Sequence, residues 1–213
     1  MELCGSRTLH HYIVDRNSSE TPVSKFDASL LLQLTHGLQH VHAAGIVHRD
    51  LKPSNCCLSG NTLKLVDFGL SRVKVCTDEL VSSSKTWDSD WTQGVGTPSY
   101  AAPEQLNGRE VTSACDMYPL GLIALELHHP MKTLMEREKL FSAIRRGDDF
   151  SSVKLPPIVS RLLEIAPVRR PDCADVIRAL SCDPCKDDIL LRERIETHIL
   201  CNEIRLEELK RKK

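Results

Sequence analysis

Three short motifs in a fixed order constrain this chain more than any other feature of its sequence. Residues 48–55 are HRDLKPSN, residues 67–69 are DFG and residues 102–104 are APE. Residues 63–66, between the first two motifs, predict a short strand, and residues 71–100, rich in Ser, Thr, Asp and Gly, predict a long surface loop. A single three-letter motif carries little information. The occurrence of all three motifs in this order, with these predicted elements between them, is very unlikely to be a coincidence.

Length and composition place the chain among globular proteins. Its 213 residues, 41% hydrophobic and 27% charged, suffice for one domain with a sizeable core and exclude disordered, collagen-like and membrane classes. The 28 basic and 29 acidic residues leave a net charge of -1, so no global field attracts nucleic acid or an anionic membrane. Because the sequence has neither a long apolar run nor a secretory signal, we expect a cytoplasmic protein without nucleic-acid or membrane partners.

The cysteines are expected to be reduced thiols. There are nine, an odd number, and Cys56, Cys57 and Cys115 lie in stretches that resemble packed core. The one CxxC pair, Cys182 and Cys185, has neither a second pair nor a His at zinc-finger spacing, so we expect no metal site there.

Periodic apolar positions predict that most of the chain is helical. Asp27 is expected to be the N-cap of a buried helix that ends at Gly45. Four further helices are predicted in the second half, at residues 113–127, 136–146, 158–165 and 172–181. The second half should therefore be helix packed on helix.

On the three motifs, the chain resembles the protein kinases over almost its full length. The resemblance implies a protein-kinase-like α+β fold, here almost only the mainly α-helical C-terminal lobe with short β-strands around the catalytic loop. This lobe would occupy residues 1–183. Residues 184–213 are charged, with apolar positions at three-four spacing, and predict an amphipathic helical tail that either docks or dimerises, or packs on its own domain.

The resemblance also implies the roles of the motif residues and the cofactors ATP and Mg²⁺. Asp50 would orient or accept the substrate hydroxyl proton, and Lys52 would contact the transferred phosphate and favour Ser/Thr substrates. Asn55 and Asp67 would hold the Mg²⁺ ions. An ordinary turn carboxylate is the alternative interpretation of a lone Asp, which the company of the other motif residues disfavours.

Supporting roles follow from the same resemblance. Glu104 would pair with Arg170 in a buried ion pair, and Asp116 would bond the backbone of the catalytic loop. Arg49 would bind a phosphorylated activation loop, because a guanidinium suits a bidentate phosphate. His48 and Phe68 would be packing members of an internal hydrophobic spine.

Other parts of the kinase pattern are not found before the catalytic loop. The 47 residues ahead of His48 contain no glycine-rich phosphate loop, strand lysine or helix glutamate, and Gly94 and Gly96 lie in the activation segment. Residues 1–4, MELC, resemble the hinge between the two kinase lobes. We therefore expect that the N-terminal lobe is missing, that Met1 is an internal methionine of a longer protein or the start of a truncated gene model, and that this chain alone is inactive.

Four segments narrow the resemblance to the kinases of the translation initiation factor 2 α subunit. They are MELCGSRTLHHYIVDRN, GVGTPSYAAPEQLNG, DMYPLGLIALEL and HPMKTLMERE. Thr133 and Arg137 would open the substrate-docking helix, and Thr92 and Thr97 would be phosphorylated, although Thr97 also suits a structural role beside the catalytic Asp and Lys. The hinge, the activation segment and the tail resemble the haem-regulated branch most, but haem control is not implied.

The resemblance predicts a Ser/Thr kinase that phosphorylates the initiation factor 2 α subunit and represses translation initiation under stress. A homodimer would form through the missing lobe or the C-terminal helix. Two alternatives remain: a non-catalytic C-lobe that acts as a binding or regulatory module, and a generic Ser/Thr kinase with another substrate. Pro119 departs from the family pattern and is expected near the first turn of its helix, where the loss of a backbone donor is tolerable.

Overall fold

A computed structural model describes residues 7–19, 24–73, 99–108 and 112–181. Several expectations concern other residues and lie outside this described part. They are the hinge at residues 1–4, Thr92 and Thr97, the pair Cys182 and Cys185, and the tail at residues 184–213.

The described residues are mostly helical. The helices are α1 (Leu9–Ser18), α2 (Lys25–Ala43), α3 (Pro103–Leu106), α4 (Ala114–His128), α5 (Leu134–Arg146), α6 (Pro157–Leu162) and α7 (Cys173–Ser181). The strands are β1 (Ile46–Val47), β2 (Cys56–Ser59), β3 (Thr62–Leu65) and β4 (Arg72–Val73). Strand β1 pairs antiparallel with β4, and β2 pairs antiparallel with β3. This confirms the predicted fold class, and it confirms the helix-on-helix second half to within a few residues at each helix end.

Helix α2 forms where the sequence predicted it, but with a different N-cap. Its leucines at positions 30, 31, 34 and 38 are fully buried. Ser24 is the N-cap, and Asp27 is the third helical residue, where its carboxylate accepts from the Ser24 backbone N–H at 2.7 Å. The prediction of Asp27 as N-cap was wrong because a capping box places an acidic residue three positions after the cap. The helix ends at Ala43, and Gly45 follows with φ of 72°.

Helix α1 was not predicted, because its sequence is polar and its inner face includes a buried arginine. Arg16 donates to the Asp27 carboxylate at 2.7 Å. It also donates to the backbone carbonyls of Glu126 and Leu127 at 2.6 and 2.9 Å. The last carbonyls of a helix have no partner within the helix, so this guanidinium satisfies the C-terminal end of α4.

Helix α4 is buried on every side and joins two apolar clusters. Its residues Met117, Leu120, Ile123 and Leu127 face the cluster built with α1, α2, the β2–β3 hairpin, α6 and α7. Its residues Cys115, Tyr118, Leu122 and Leu125 face the cluster built with α5. A helix that is apolar all round can only be the centre of its domain. No helix of the described residues is long and apolar enough to cross a membrane.

Two residues of α4 show how tightly it is packed. Pro119 lies in the second turn, not near the first as the sequence suggested, so the helix lacks a backbone donor toward the carbonyl of Cys115. Gly121 lies against α6: a Cβ on this residue would be 2.8 Å from Leu162 Cβ and 3.0 Å from Leu163 Cδ2. Only glycine permits this approach of the two helices.

Two glycine substitutions should therefore have opposite effects on stability. Gly121→Ala forces α4 and α6 apart and should lower the free energy of unfolding by about 1–3 kcal/mol. Gly37→Ala, in the middle of α2 with nothing within 4 Å of the new Cβ, should raise it by up to about 1 kcal/mol. Urea unfolding of the two variants beside the wild type measures both effects, and equal effects would contradict the close approach at Gly121.

Candidate active site

The backbone of residues 48–50 is fixed by one buried carboxylate in the first turn of α4. Asp116 is fully buried. Its Oδ2 accepts from the backbone N–H of His48, and its Oδ1 accepts from the backbone N–H of Arg49, both at 2.8 Å. His42 Nε2 lies 2.8 Å from Oδ2. Arg49 has φ of 70°, a left-handed conformation that costs about 1–2 kcal/mol outside glycine.

The side chains of the first motif converge on Asp50. Lys52 Nζ lies 2.7 Å from Asp50 Oδ2, and the two side chains are 29% and 24% exposed. Asn55, which is buried, donates from Nδ2 to the Asp50 backbone carbonyl at 2.8 Å and to Asp50 Oδ2 at 3.0 Å. The structure thus brings Asp50, Lys52 and Asn55 into direct contact, with the carboxylate open to solvent on one side.

The β2–β3 hairpin brings the DFG motif to the same place. Asn55 precedes β2 and Val66 follows β3, and the Val66 N–H donates to the Asn55 carbonyl at 2.9 Å. Asp67 comes next, exposed and with φ of 63°, and its Oδ1 accepts from the Gly69 N–H at 3.2 Å. The separation of the two motifs in sequence is therefore the length of one short hairpin.

Ring packing joins the two motifs beneath these polar groups. The rings of His48 and Phe68 lie 5.0 Å apart between centroids. His48 is fully buried, and its Nε2 lies 3.2 Å from the Val66 carbonyl oxygen. This contact holds the DFG backbone beside the catalytic loop.

The donor set fits a hard cation such as Mg²⁺. The amino group of Asn55 makes both bonds to Asp50, so its amide oxygen is the atom suited to a cation, and the exposed Asp67 supplies a carboxylate. Mg²⁺ is usually bound by one or two protein oxygens together with phosphate and water. Within the described residues there is no group of three or more His, Cys, Asp or Glu that could hold a metal ion.

The APE motif is held by a buried bidentate ion pair. Arg170 NH1 and NH2 lie 2.6 and 2.8 Å from the two carboxylate oxygens of Glu104. The same guanidinium donates to the carbonyls of Ala114 and Glu164, each at 2.8 Å, and lies 5.0 Å from the centre of the Tyr118 ring. Because every donor has an acceptor, this pair fixes α3 against α4 and α6.

Sequence analysis missed one residue of the site, Gln105. This buried side chain donates from Nε2 to the Arg49 carbonyl at 3.0 Å, and its Oε1 accepts from the Ala102 N–H at 3.0 Å. It thereby joins α3 to the residue that precedes Asp50. A glutamine after APE has no periodic or motif signal that could have indicated this contact.

Thr133 and Arg137, the two residues expected to dock a substrate, have different environments in the structure. Thr133 is the N-cap of α5, and its Oγ1 accepts from the Glu136 N–H at 3.1 Å. Leu134 and Met135, which follow it, are 69% and 81% exposed. Arg137 instead points inward: its side chain is 16% exposed, lies 2.9 Å from Glu138 Oε1 and contacts the rings of Tyr100 and Phe141.

Arg49, expected to bind a phosphorylated loop, is half-buried near a second arginine. Burial, and then the positive charge of Arg72, lower the pKa of Arg49. Two guanidiniums close together favour an anion between them. The threonines expected to carry that phosphate lie outside the described residues.

Glu126, near the end of α4, is a buried acid between two elements. The Tyr100 hydroxyl donates to its Oε2, and Arg137 NH1 lies 3.8 Å from its Oε1. Burial raises the pKa of Glu126 to about 7, although the Tyr100 hydrogen bond and the charge of Arg137 lower it. This carboxyl therefore titrates near neutral pH in the folded protein.

Replacing Glu126 by glutamine should remove a pH dependence of folding. The folded-state pKa is raised from 4.5 to about 7, so the stability linked to this group is fully present below pH 4.5 and is lost as the pH rises through 7. The free energy of unfolding of the wild type relative to Glu126→Gln should fall over this interval, by at most about 1.4 kcal/mol per unit of pKa shift. Urea unfolding across this pH range measures the difference, and parallel curves for the two proteins would contradict it.

Comparison with known proteins agrees with this geometry. A model of the protein kinase domain matches residues 1–187. The chain is 36% identical over 170 residues to eukaryotic translation initiation factor 2-alpha kinase 1 of Rattus norvegicus, which covers 69% of this chain and 26% of that protein.

Two further relatives have other names. The interferon-induced, double-stranded RNA-activated protein kinase of Mus musculus is 33% identical over 189 residues, 85% of this chain and 34% of that protein. The calcium and calcium/calmodulin-dependent serine/threonine-protein kinase of Oryza sativa subsp. japonica is 34% identical over 193 residues, 84% of this chain and 34% of that protein. The chain thus spans about a third or less of the length of these relatives. With its catalytic-loop, DFG and APE residues arranged as described, the chain belongs to the protein kinase family.

Proposed function

We propose that residues 1–183 are the C-terminal lobe of a Ser/Thr protein kinase that transfers the γ-phosphate of ATP to the α subunit of translation initiation factor 2. This reaction would repress translation initiation in the cytoplasm under stress. The observation that carries the proposal is the group around Asp50, in which Lys52 and Asn55 contact one carboxylate at 2.7 and 3.0 Å. Asp67 follows the β2–β3 hairpin, where the Val66 N–H donates to the Asn55 carbonyl at 2.9 Å.

Each residue of this group has a distinct task in the proposed reaction. The substrate hydroxyl oxygen forms the new bond to the γ-phosphorus, ADP leaves, and the Asp50 carboxylate orients the hydroxyl and accepts its proton. Lys52 neutralises charge on the transferred phosphate. Asn55 and Asp67 would hold Mg²⁺, which supplies positive charge to the phosphates when bound.

Four other residues support this group rather than touch the substrate. Asp116 holds the backbone of the catalytic loop, and the Glu104–Arg170 pair holds the APE helix. Arg49, near Arg72, would bind phosphate on Thr92 or Thr97 and so order the activation segment. This last role is a prediction from the sequence and from the nearby positive charges.

The choice of substrate is supported by the names of the relatives and by the surface of α5. The relatives include translation initiation factor 2-alpha kinase 1, described above, and eukaryotic translation initiation factor 2-alpha kinase 3 of Rattus norvegicus, which is 31% identical over 191 residues. The first turn of α5 presents Leu134 and Met135 to solvent, and Thr133 fixes this turn as its cap. An exposed apolar pair on a capped helix is suited to bind a folded protein. The haem-regulated branch stays a prediction.

Two observations favour other candidates. The similarity to the calcium- and calmodulin-dependent kinase of Oryza sativa, at 34% identity, favours a Ser/Thr kinase with a different substrate. The exposed turn of α5 is formed without any residue of the catalytic loop, so the same surface would also serve a module that binds the substrate without phosphorylating it. A homodimer through the tail at residues 184–213 or through another lobe stays a prediction.

Phosphate transfer is the first test of the proposal. Labelled Mg-ATP is incubated with the initiation factor 2 α subunit and two proteins: this chain alone, and this chain fused behind the residues that precede the matching region in the rat kinase 1. Transfer by the fusion should fall by about 10²- to 10⁴-fold on Asp50→Asn, which removes the proton acceptor. Asp149→Asn, an exposed carboxylate remote in sequence from the motifs, is the control. An active Asp50→Asn fusion would contradict the assigned role.

Docking on α5 makes a separate prediction. Met135→Asp places a charge on the exposed turn and should weaken binding of the initiation factor 2 α subunit to this chain by about tenfold or more. Lys139→Ala, another exposed position of α5, should leave the affinity unchanged. Calorimetric titration measures both. Unchanged affinity for Met135→Asp would move docking to another surface, and tight binding without phosphate transfer by the fusion would favour the binding module.

A further inference from the structure

We propose that Gln105 is a positioning residue of the catalytic loop, which links the backbone beside Asp50 to the segment held by helix α5. The part of this inference that concerns docking rests on the proposed function. The link between Gln105 and the catalytic loop rests on the contacts alone.

The first step is the contact between Gln105 and the catalytic loop. The side chain of Gln105 donates to the Arg49 carbonyl at 3.0 Å. Arg49 is in the left-handed conformation, and Asp116 accepts from its N–H at 2.8 Å. The residue is therefore held at its amide by α4 and at its carbonyl by α3. Since Asp50 follows directly, its orientation depends on both bonds.

The second step joins Gln105 to the segment before α3. Its Oε1 accepts from the Ala102 N–H at 3.0 Å. The two bonds fix the orientation of the amide, because an N–H needs the oxygen and a carbonyl needs the amino group. Gln105 is almost fully buried, so losing either bond would leave a polar group without a partner inside the protein.

The third step joins this segment to helix α5. The Ser99 hydroxyl donates to Glu138 Oε1 at 3.0 Å, and Arg145 NH2 donates to the Ser99 carbonyl at 2.7 Å. The Tyr100 ring packs edge-to-face on Phe141, with centroids 5.5 Å apart. Arg137 lies over both rings, at 5.9 and 5.8 Å. The inner face of α5 thus clamps residues 99 and 100.

These contacts form one continuous set from α5 to Asp50. The outer face of α5 carries the exposed residues Leu134 and Met135, and its inner face carries the clamp. A shift of α5 would move Ser99 and Tyr100 and, along the chain, Ala102. Gln105, which is bonded to Ala102, would pass this shift to the Arg49 carbonyl. A bound substrate on α5 would in this way bias the geometry of the catalytic loop, and not only raise the local substrate concentration.

A simpler interpretation is that Gln105 only caps helix α3. Two substitutions separate the interpretations. Gln105→Met removes both hydrogen bonds, whereas Gln105→Glu retains an acceptor for the Ala102 N–H and loses the donor to Arg49. A cap predicts that glutamate resembles the wild type. A positioning role predicts that both variants loosen the catalytic loop.

Amide hydrogen exchange in this chain tests the proposal without any enzyme activity. The N–H groups of His48, Arg49 and Asp50 all donate hydrogen bonds, so their exchange reports opening of the loop. Gln105→Met and Gln105→Glu should each speed exchange in residues 48–50 by about fivefold, the factor expected from one lost hydrogen bond. Leu106→Ala, at an exposed neighbouring position, should leave it unchanged.

The clamp is tested by the same measurement. Arg137→Met should speed exchange in residues 99–102 and also in residues 48–50, whereas Met135→Asp on the outer face of α5 should change neither. Arg137→Met also keeps the proposal testable if a substitution at Gln105 prevents folding. The proposal would be overturned if residues 48–50 exchanged at the wild-type rate in Gln105→Glu. It would also be overturned if residues 48–50 and 99–102 both exchanged at the wild-type rate in Arg137→Met.

Kinetics of the active fusion give a second, independent readout. With a short peptide that cannot reach α5, Gln105→Met should lower kcat by about fivefold or more and leave the KM for ATP unchanged. A rise in the KM for ATP with unchanged kcat would overturn the positioning role. If the fusion phosphorylates no initiation factor, the proposed function fails, and the exchange experiment still decides the role of Gln105.

Discussion

The buried carboxylate of Asp116 is the constraint on which the rest of the site depends. Removing a carboxylate from water is costly unless hydrogen-bond donors replace the water. Here two backbone N–H groups of the catalytic loop and the imidazole of His42 surround it within 2.8 Å. The loop therefore cannot relax out of the left-handed conformation at Arg49 without leaving a buried charge unsatisfied. This cost fixes the backbone from which Asp50 projects.

The same logic explains why α4 lies at the centre of the domain. Its first turn carries Asp116, its middle admits α6 through Gly121, and its last carbonyls accept from Arg16. The charged groups at its two ends join parts of the chain that are remote in sequence, such as the catalytic loop and α1. Buried ion pairs add little net stability compared with apolar residues, but removing one partner is strongly destabilising. Their effect here is to specify one arrangement of the surrounding elements.

The sequence predicted the parts of the fold that have a period or a motif. Periodic apolar residues predicted α2 and the helices of the second half. The motifs indicated the group around Asp50, and one short hairpin, β2–β3, separates the catalytic loop from the DFG motif. Helix α1 was missed because its sequence is polar and its inner face carries Arg16, whose guanidinium donates to the last carbonyls of another helix. Arg137 was assigned to substrate docking on the family resemblance, whereas its guanidinium packs inward on the rings of Tyr100 and Phe141. In both cases the partners come from distant segments, which no local pattern reveals.

Gln105 shows the limit more sharply. Its neighbours in the APE motif identify the element, but nothing in the sequence distinguishes a glutamine on the surface from one that bridges two backbones. The difference arises only when α3 is packed over the catalytic loop by Glu104 and Arg170. An ion pair one residue away thus determines that the amide of Gln105 is buried and must find partners. Its partners are the Arg49 carbonyl and the Ala102 N–H, so the packing that orders the APE helix also ties it to the residue before Asp50.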